Sequence, residues 1–257
     1  MYAVLAADGS PGGKTAVRLV RNLDWPEGST IRVVHAIPAA VAGLPRGSGG
    51  RDDGRLAHPL LNAVSGTHEL LETTVATLRG PSRRVEHSVL HGDVASAIAR
   101  DARRVGADLV VAGHPRAGRV GSAIFGSVAP LLVDQSPCPV LIARRAKLGS
   151  VLFADDGSKG AERAAAAVIE LAIVRGAPVS VLSVAPHSDS RVLSTWPAMR
   201  AHAHRAYSEV RAAAFSEAQA IATARADFFE AAGTRTDVHV VEGDPADTIV
   251  SLARRLD

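Results

Sequence analysis

The chain repeats itself, and that repetition limits its folds more than any other feature. Val4-Leu5-Ala6-Ala7-Asp8-Gly9-Ser10 returns as Leu152-Phe153-Ala154-Asp155-Asp156-Gly157-Ser158. Gly92-Asp93-Val94-Ala95-Ser96-Ala97-Ile98 returns as Gly243-Asp244-Pro245-Ala246-Asp247-Thr248-Ile249, and Ala102-Arg103-Arg104-Val105 as Ala253-Arg254-Arg255-Leu256. Asp8 and Asp156 stand 148 positions apart, Gly92 and Gly243 stand 151 apart, so the copies keep nearly the same internal spacing. Matched blocks in one order at one spacing mean duplication of a folding unit.

Within each copy, short apolar runs alternate with longer helical patterns. Copy one has strand-like segments at Ala3–Ala7, Ile31–Ile37, Val85–Leu90, Leu109–Ala112 and Val140–Ala143. These are continuous runs of Val, Ile, Leu and Ala between turn residues, the pattern of strands buried on both faces. Helical periodicity covers Lys14–Leu23, Leu60–Leu78, Val94–Val105 and a short stretch near Ser127–Asp134. Strict alternation predicts a parallel sheet with right-handed crossovers. The Gly-, Pro- and Arg-rich stretch Pro38–Pro59 reads as a mobile surface loop. Copy two follows with strands at Val151–Ala154, Val179–Val184 and Val238–Val241, and helices near Ala161–Val174, Ala198–Ala232 and Pro245–Leu256. The expected fold is α/β, two parallel-sheet repeats over 1–147 and 148–257, the second stopping after its third helix. Counterparts of Leu109–Ala112, of Gly113–Gly126 and of Val140–Ala143 do not appear in copy two.

Composition agrees. At 257 residues, 47% hydrophobic and 21% charged, the chain can bury two cores and is neither disordered nor a membrane protein. Apolar stretches such as Ala164–Ile169 and Ala107–Gly113 are far too short to span a bilayer. The first residues lack a basic segment ahead of a long apolar run, so no signal peptide is expected. A single cysteine, Cys138, excludes an intrachain disulfide and a multi-cysteine zinc site. The expected address is cytoplasmic. A net charge of +3 is small for this length, and the doublets Arg103-Arg104, Arg144-Arg145 and Arg254-Arg255 suit helix C-termini, so no nucleic-acid partner is expected.

A parallel α/β sheet binds ligands outside the carboxyl ends of its strands, near the point where strand order reverses. Asp8-Gly9-Ser10 follows the first strand. Asp8 can accept from an adenine amino group or a ribose hydroxyl, and Gly9 permits a tight turn. Helix capping by Asp8 or Ser10 is the simpler reading of these residues taken alone, and the two roles are compatible. After Ala112 comes Gly113-His114-Pro115-Arg116-Ala117-Gly118-Arg119-Val120-Gly121-Ser122-Ala123-Ile124-Phe125-Gly126-Ser127. Its glycines let backbone amides approach an anion, and Gly126-Ser127 opens a helix whose N-terminus favours phosphate. Gly12-Gly13-Lys14-Thr15 imitates the end of a P-loop, but the required first glycine would fall on Asp8, and an acid in a phosphate cradle is repulsive.

The ten histidines carry no metal-site spacing: His202 and His204 are two apart on a predicted helix and face different ways. No metal site and no catalytic residue are expected. Cys138, between two prolines, reads as an inert small hydrophobe.

The strand–helix order, the Asp-Gly-Ser after strand one, the Gly92-Asp93 pair opening the third helix and Ser136-Pro137-Cys138-Pro139-Val140 before the last strand together resemble the universal stress protein (UspA-like) family. The resemblance covers about residues 2–145 and 150–257. It implies a tandem member with flavodoxin-like or Rossmann-like repeats of the adenine nucleotide α-hydrolase kind. Many members bind ATP through a Gly-x2-Gly-x9-Gly-Ser/Thr motif, in which Gly113 and Gly126-Ser127 fit and Arg116 stands at the second glycine. That arginine either occludes the phosphates or supplies a compensating cation. By resemblance, Ala6 and Asp8 flank adenine, Ala36 touches base or ribose, Ala112 lines the pocket, and Gly113, Arg116, Gly126, Ser127 and Val128 meet ribose and phosphates. Copy two offers Asp156 and Val184 for the adenine side only. The function implied is stress-response regulation through ATP, with magnesium, or another adenine nucleotide; a nucleotide-independent interaction module is the alternative, and a nucleotide-using hydrolase a third. In the family the last strand pairs with its equivalent in another domain, which implies a homodimer through Val140–Ala143.

Overall fold

The computed structural model describes residues 1–37, 57–114, 128–171, 176–186 and 200–256, and for 57–65 and 200–207 the backbone only. Two units divide the chain, Met1–Lys147 and Leu148–Asp257.

In the first unit the apolar runs become β1 (Tyr2–Ala6), β2 (Ser29–Ile37), β3 (Arg83–His91), β4 (Leu109–Gly113) and β5 (Val140–Ala143). They form one five-stranded parallel sheet in the order β3-β2-β1-β4-β5. Strand order runs one way from β1 to β3 and the other way from β4 to β5, so the reversal lies between β1 and β4. The central strands are buried on both faces, as Val4, Leu5, Ile31, Val33, Val110 and Val111 show. Helices α1 (Pro11–Asn22), α2 (Ala57–Leu78), α3 (Val94–Val105) and α4 (Val128–Gln135) complete the unit. The loop expected over Pro38–Pro59 is therefore shorter at its far end. Pro59 falls in the first turn of α2, where a missing N–H breaks no helical bond; residues 38–56 lie outside the description.

Local chemistry sets the helix ends. Asp93 caps α3 by accepting from Ser96 N at 3.0 Å. Gly106, at φ 63°, ends the same helix in the left-handed conformation, with Arg103 and Arg104 in the last turn. Ala95, Ile98 and Ala102 pack that helix on Val4, Val34 and Val110, with Leu132 of α4 in the same cluster.

A partly buried ion cluster links β2, β3 and α3. Arg32 of β2 donates to Asp101 of α3 at 2.7 Å and to Glu86 of β3 at 2.8 Å. Arg104 adds a 2.6 Å bond to Asp101, and the Tyr2 hydroxyl donates to Glu86. Burial alone would raise the Asp101 pKa, but its bonds from Arg32 and Arg104 outweigh that and hold the carboxyl below the usual range.

The second unit has a three-stranded parallel sheet in the order β6-β7-β8, from β6 (Val151–Ala154), β7 (Val179–Pro186) and β8 (Thr236–Gly243). Around it lie α5 (Lys159–Glu170), α6 (Arg200–Ala231) and α7 (Pro245–Arg255). Its core is Phe153, Ala165, Val179, Val181, Ala222, Ala226 and Phe229, the two phenylalanines meeting edge to face at 5.2 Å. Helix α5 closes at Glu170, where Leu171 N donates to Ala167 O, earlier than the expected Val174; residues 172–175 lie outside the description. Among the described residues no helix is long and apolar enough to cross a membrane.

Candidate nucleotide cavity

The turn after β1 is built from short polar residues and glycines. Gly9 takes φ 73°, the left-handed region, and reverses the chain. Ser10 then caps α1, its hydroxyl accepting from Gly13 N at 3.0 Å. Asp8 Oδ1 accepts from Ser10 N at 3.0 Å and from Ser10 Oγ at 2.7 Å. Capping of α1 and a carboxylate that lines a cavity thus coexist, because among the described residues the hydrogen bonds of the turn engage only Oδ1 of Asp8.

Gly12 and Gly13 explain the P-loop imitation. A Cβ on Gly12 would stand 2.2 Å from His114 O, and one on Gly113 would stand 2.2 Å from Gly12 C. A Cβ on Gly13 would meet Asp8 Oδ1 at 2.2 Å. These glycines let the first turn of α1 lie directly against the end of β4. Lys14 is exposed and lines no part of the cavity described next.

That cavity, about 370 Å³, sits at the carboxyl ends of β1 and β4, where strand order reverses. Ala6 and Asp8 reach it from β1 and its turn, Ala36 from β2, Ala112 and Gly113 from β4, and Val128 from α4. Arg116, Gly126 and Ser127 lie outside the described residues. Sequence reasoning missed Val34, His35, Val94, Ile98 and Ala129, which also line it. Two of these were legible: Val34 shares the strand face of Ala36 two residues away, and Ile98 follows Val94 by one helical turn. His35 Nδ1 lies 2.7 Å from Ala7 O. A carbonyl only accepts, so Nδ1 is the donor, and this bond ties the end of β2 to the Asp8 turn. His114 does not line the cavity; burial, and then Arg144, holds its imidazole below the ordinary pKa.

The wall is chiefly apolar, with one carboxylate and the N-termini of α1 and α4 at its margin. Helix N-termini carry partial positive charge and suit an anionic group. An apolar slot suits a planar base, and Asp8 suits a hydroxyl or amino donor.

The second unit differs at the same turn. Asp156 is exposed, and hydrogen bonds from Ser158, side chain first and then backbone, lower its pKa. Val184 is half-buried on β7. Neither lines the groove of about 540 Å³ found in that unit, which runs between α5 and α6 along Gly157, Glu162, Ile221, Arg225 and Phe228. Asp155 stands where the first unit has Ala7, 3% exposed, and receives Arg225 Nε at 2.5 Å and Gly157 N at 2.8 Å.

The chain is similar to known proteins. The stress response protein NhaX of Bacillus subtilis (strain 168) is 28% identical over 163 residues, 55% of this chain and 96% of that protein. A universal stress protein from Archaeoglobus fulgidus DSM 4304 superposes with TM-score 0.64 at 17% identity, covering 99% of this chain and 83% of the other, which shows a shared fold. A family protein from Arabidopsis thaliana, solved with AMP bound, matches 56% of this chain and 92% of its own at 18% identity and TM-score 0.41. The universal stress protein family itself matches residues 2–144 and again residues 148–257, and the chain belongs to that family.

Proposed function

We propose that the first unit binds an adenine nucleotide, ATP with magnesium or a relative of it, and that the protein regulates a stress response through that binding. The observation that carries this reading is one cavity at the strand-order reversal, to which Ala6, Asp8, Ala36, Ala112, Gly113 and Val128 converge from separate elements. Its volume of about 370 Å³ lies within the usual range for small-ligand sites. The base lies in the apolar slot between Ala36 and Ala112, Asp8 accepts from the ribose or the amino group, and the phosphates face the N-termini of α1 and α4. Arg116, Gly126 and Ser127 are the phosphate-side candidates. The reading is regulation rather than catalysis. Among the described residues of the wall, Ser10 caps α1 and is the side chain hydrogen-bonded to Asp8. The second unit is not expected to bind nucleotide by itself.

The test is a thermal-shift and calorimetric titration of the full chain with ATP–magnesium, repeated for Asp8→Ala. Nucleotide at a hundred times its Kd stabilises by about 2.7 kcal/mol, and Asp8→Ala weakens binding at least tenfold. No stabilisation of the unsubstituted chain at millimolar ATP, AMP or cyclic AMP removes the reading and leaves the nucleotide-independent interaction module. Turnover above buffer background would instead favour a hydrolase.

A homodimer through β5 belongs to the same proposal. β5 is an outer strand of its sheet, and neighbouring α4 exposes Leu131 and Val133, 44% and 57% accessible. Sedimentation of a strict monomer at high micromolar concentration would count against it.

A further inference from the structure

At the opposite edge strand of the first unit, three side chains with metal-ligating atoms meet. His68 and Glu72 stand four positions apart on α2, and His87 comes from β3, against which α2 packs. One ligand atom of each lies within 4.8 Å of the other two. His87 Nε2 is 3.8 Å from Glu72 Oε1, and the rings of His68 and His87 meet edge to face with centroids 6.2 Å apart. Spacing along the chain predicts no metal site among the histidines. His68 and Glu72 are an i, i+4 pair on one helix, and only the sheet brings the third group near them.

We propose that His68, Glu72 and His87 bind a divalent transition-metal ion, zinc foremost. The donor set is two imidazoles and one carboxylate, which suits zinc and its neighbours and disfavours the all-oxygen cations magnesium and calcium. Ligands of a tetrahedral zinc at about 2.0–2.2 Å stand roughly 3.3–3.6 Å from one another. The atoms here need to close by about 1 Å to reach that spacing. Side-chain rotation supplies it, since the Glu72 and His87 side chains are 52% and 34% accessible. The backbones that carry them are held in place. Leu71 and Val75 of α2 are buried at 0% and 4%, and His87 is paired with Val33 of β2 in the parallel ladder. Three protein ligands leave one position for water or an outside donor. An ion here bridges α2 to the outermost strand and stabilises the first unit, because the unfolded chain does not present the three groups together. The cavity at β1 and β4 uses none of these residues, so the proposal stands or falls without the nucleotide reading.

The experiment titrates the metal-free full chain with Zn2+ against a chromophoric chelator, and with Co2+ to read its d–d absorption. The expected result is one strong equivalent per chain, a tetrahedral-type Co2+ spectrum and a rise in Tm with zinc. His68→Ala and His87→Ala each lower the affinity at least tenfold and remove the Tm rise, while His91→Ala, on the same strand, leaves both unchanged. Far-UV circular dichroism and the metal-free Tm check folding, and His87→Asn replaces any alanine variant that fails to fold. A doubly substituted His68→Ala/His87→Ala chain that keeps the affinity, stoichiometry and Tm rise of the original overturns the proposal. So does an unsubstituted chain with no binding tighter than that of the variants.

Discussion

The two copies of the first strand-to-helix turn have nearly the same sequence and do opposite things with it. Both reverse at a left-handed glycine, Gly9 at φ 73° and Gly157 at φ 74°, and both cap the next helix with a serine. In the first unit Ala7 is small and neutral, and the turn borders an open cavity. In the second, Asp155 replaces it, and the buried acid recruits Arg225 from α6. That guanidinium lies over Phe153 and Phe228, 5.9 and 5.6 Å from their centroids. One residue difference at a buried position therefore replaces a turn that borders a cavity with one tied by a structural ion pair. The turn that lines a cavity in one unit holds a helix in the other.

The largest expected effect tests that ion pair. Arg225→Ala leaves Asp155 buried without its cation and destabilises the second unit by about 3–5 kcal/mol. Replacing both as Asp155→Ala/Arg225→Met comes back to near neutral, and urea unfolding followed by peptide-resolved hydrogen exchange measures both. If the single and double variants lose the same stability, the pair is not what distinguishes the turns.

Next comes the glycine contact. Gly113→Ala puts a methyl into the Gly12 backbone and costs the first unit about 3 kcal/mol, with Gly12→Ala similar. At Gly160, which matches Gly12 in the second copy, a Cβ meets only Ser158 Oγ, at 3.3 Å. Gly160→Ala, in the first turn of α5 and against only the capping Ser158 hydroxyl, is expected to change stability by less than about 1 kcal/mol. Equal losses at Gly12 and Gly160 would mean that both turns are packed alike.

A smaller effect concerns acid. Asp101 is depressed in the folded state, so the unfolded chain binds its proton more readily at low pH. Its contribution is present above the unfolded carboxyl value of about 3.9 and is lost as pH falls through the folded value. Urea midpoints of the first unit should therefore decline below about pH 4, and Asp101→Asn should flatten that limb while lowering the plateau. An unchanged acid limb in the variant would assign the decline to other carboxylates. The smallest effect is a symmetry check: Ser10→Ala and Ser158→Ala each cost about 1 kcal/mol, by loss of equivalent caps.

Much of this was legible in the chain itself. Helix α3 was read to the residue because Asp93 and Gly106 are local signals that act within one turn. Strands β1 and β2 were recognisable as runs of residues that only a two-sided burial explains. β8 was read too short, as Val238–Val241, because its pairing with Val179–Pro186 of β7 extends it to Thr236–Gly243. The expected start of α2 at Leu60 falls three residues late, because Pro59 has the look of a loop marker and sits in a first turn. For the site, the alternation of elements points to the loops after Ala7, Ile37 and Ala112, and so to Asp8, whereas Ala36 and Ala112 as cavity residues come from the family resemblance. His35 could not be named, since its role depends on a bond to Ala7 O across the sheet.

What the sequence alone determined is whatever acts over a few residues or repeats along the chain: the duplication, the order of strands and helices, the caps and the turns. What only the tertiary structure decided are meetings across long separations. Gly12 against Gly113, Arg32 with Asp101, Asp155 with Arg225, and His68 with His87 each join residues that no periodicity links. Such contacts depend on which strands lie side by side and on distances of a few ångströms, and a one-dimensional pattern carries neither.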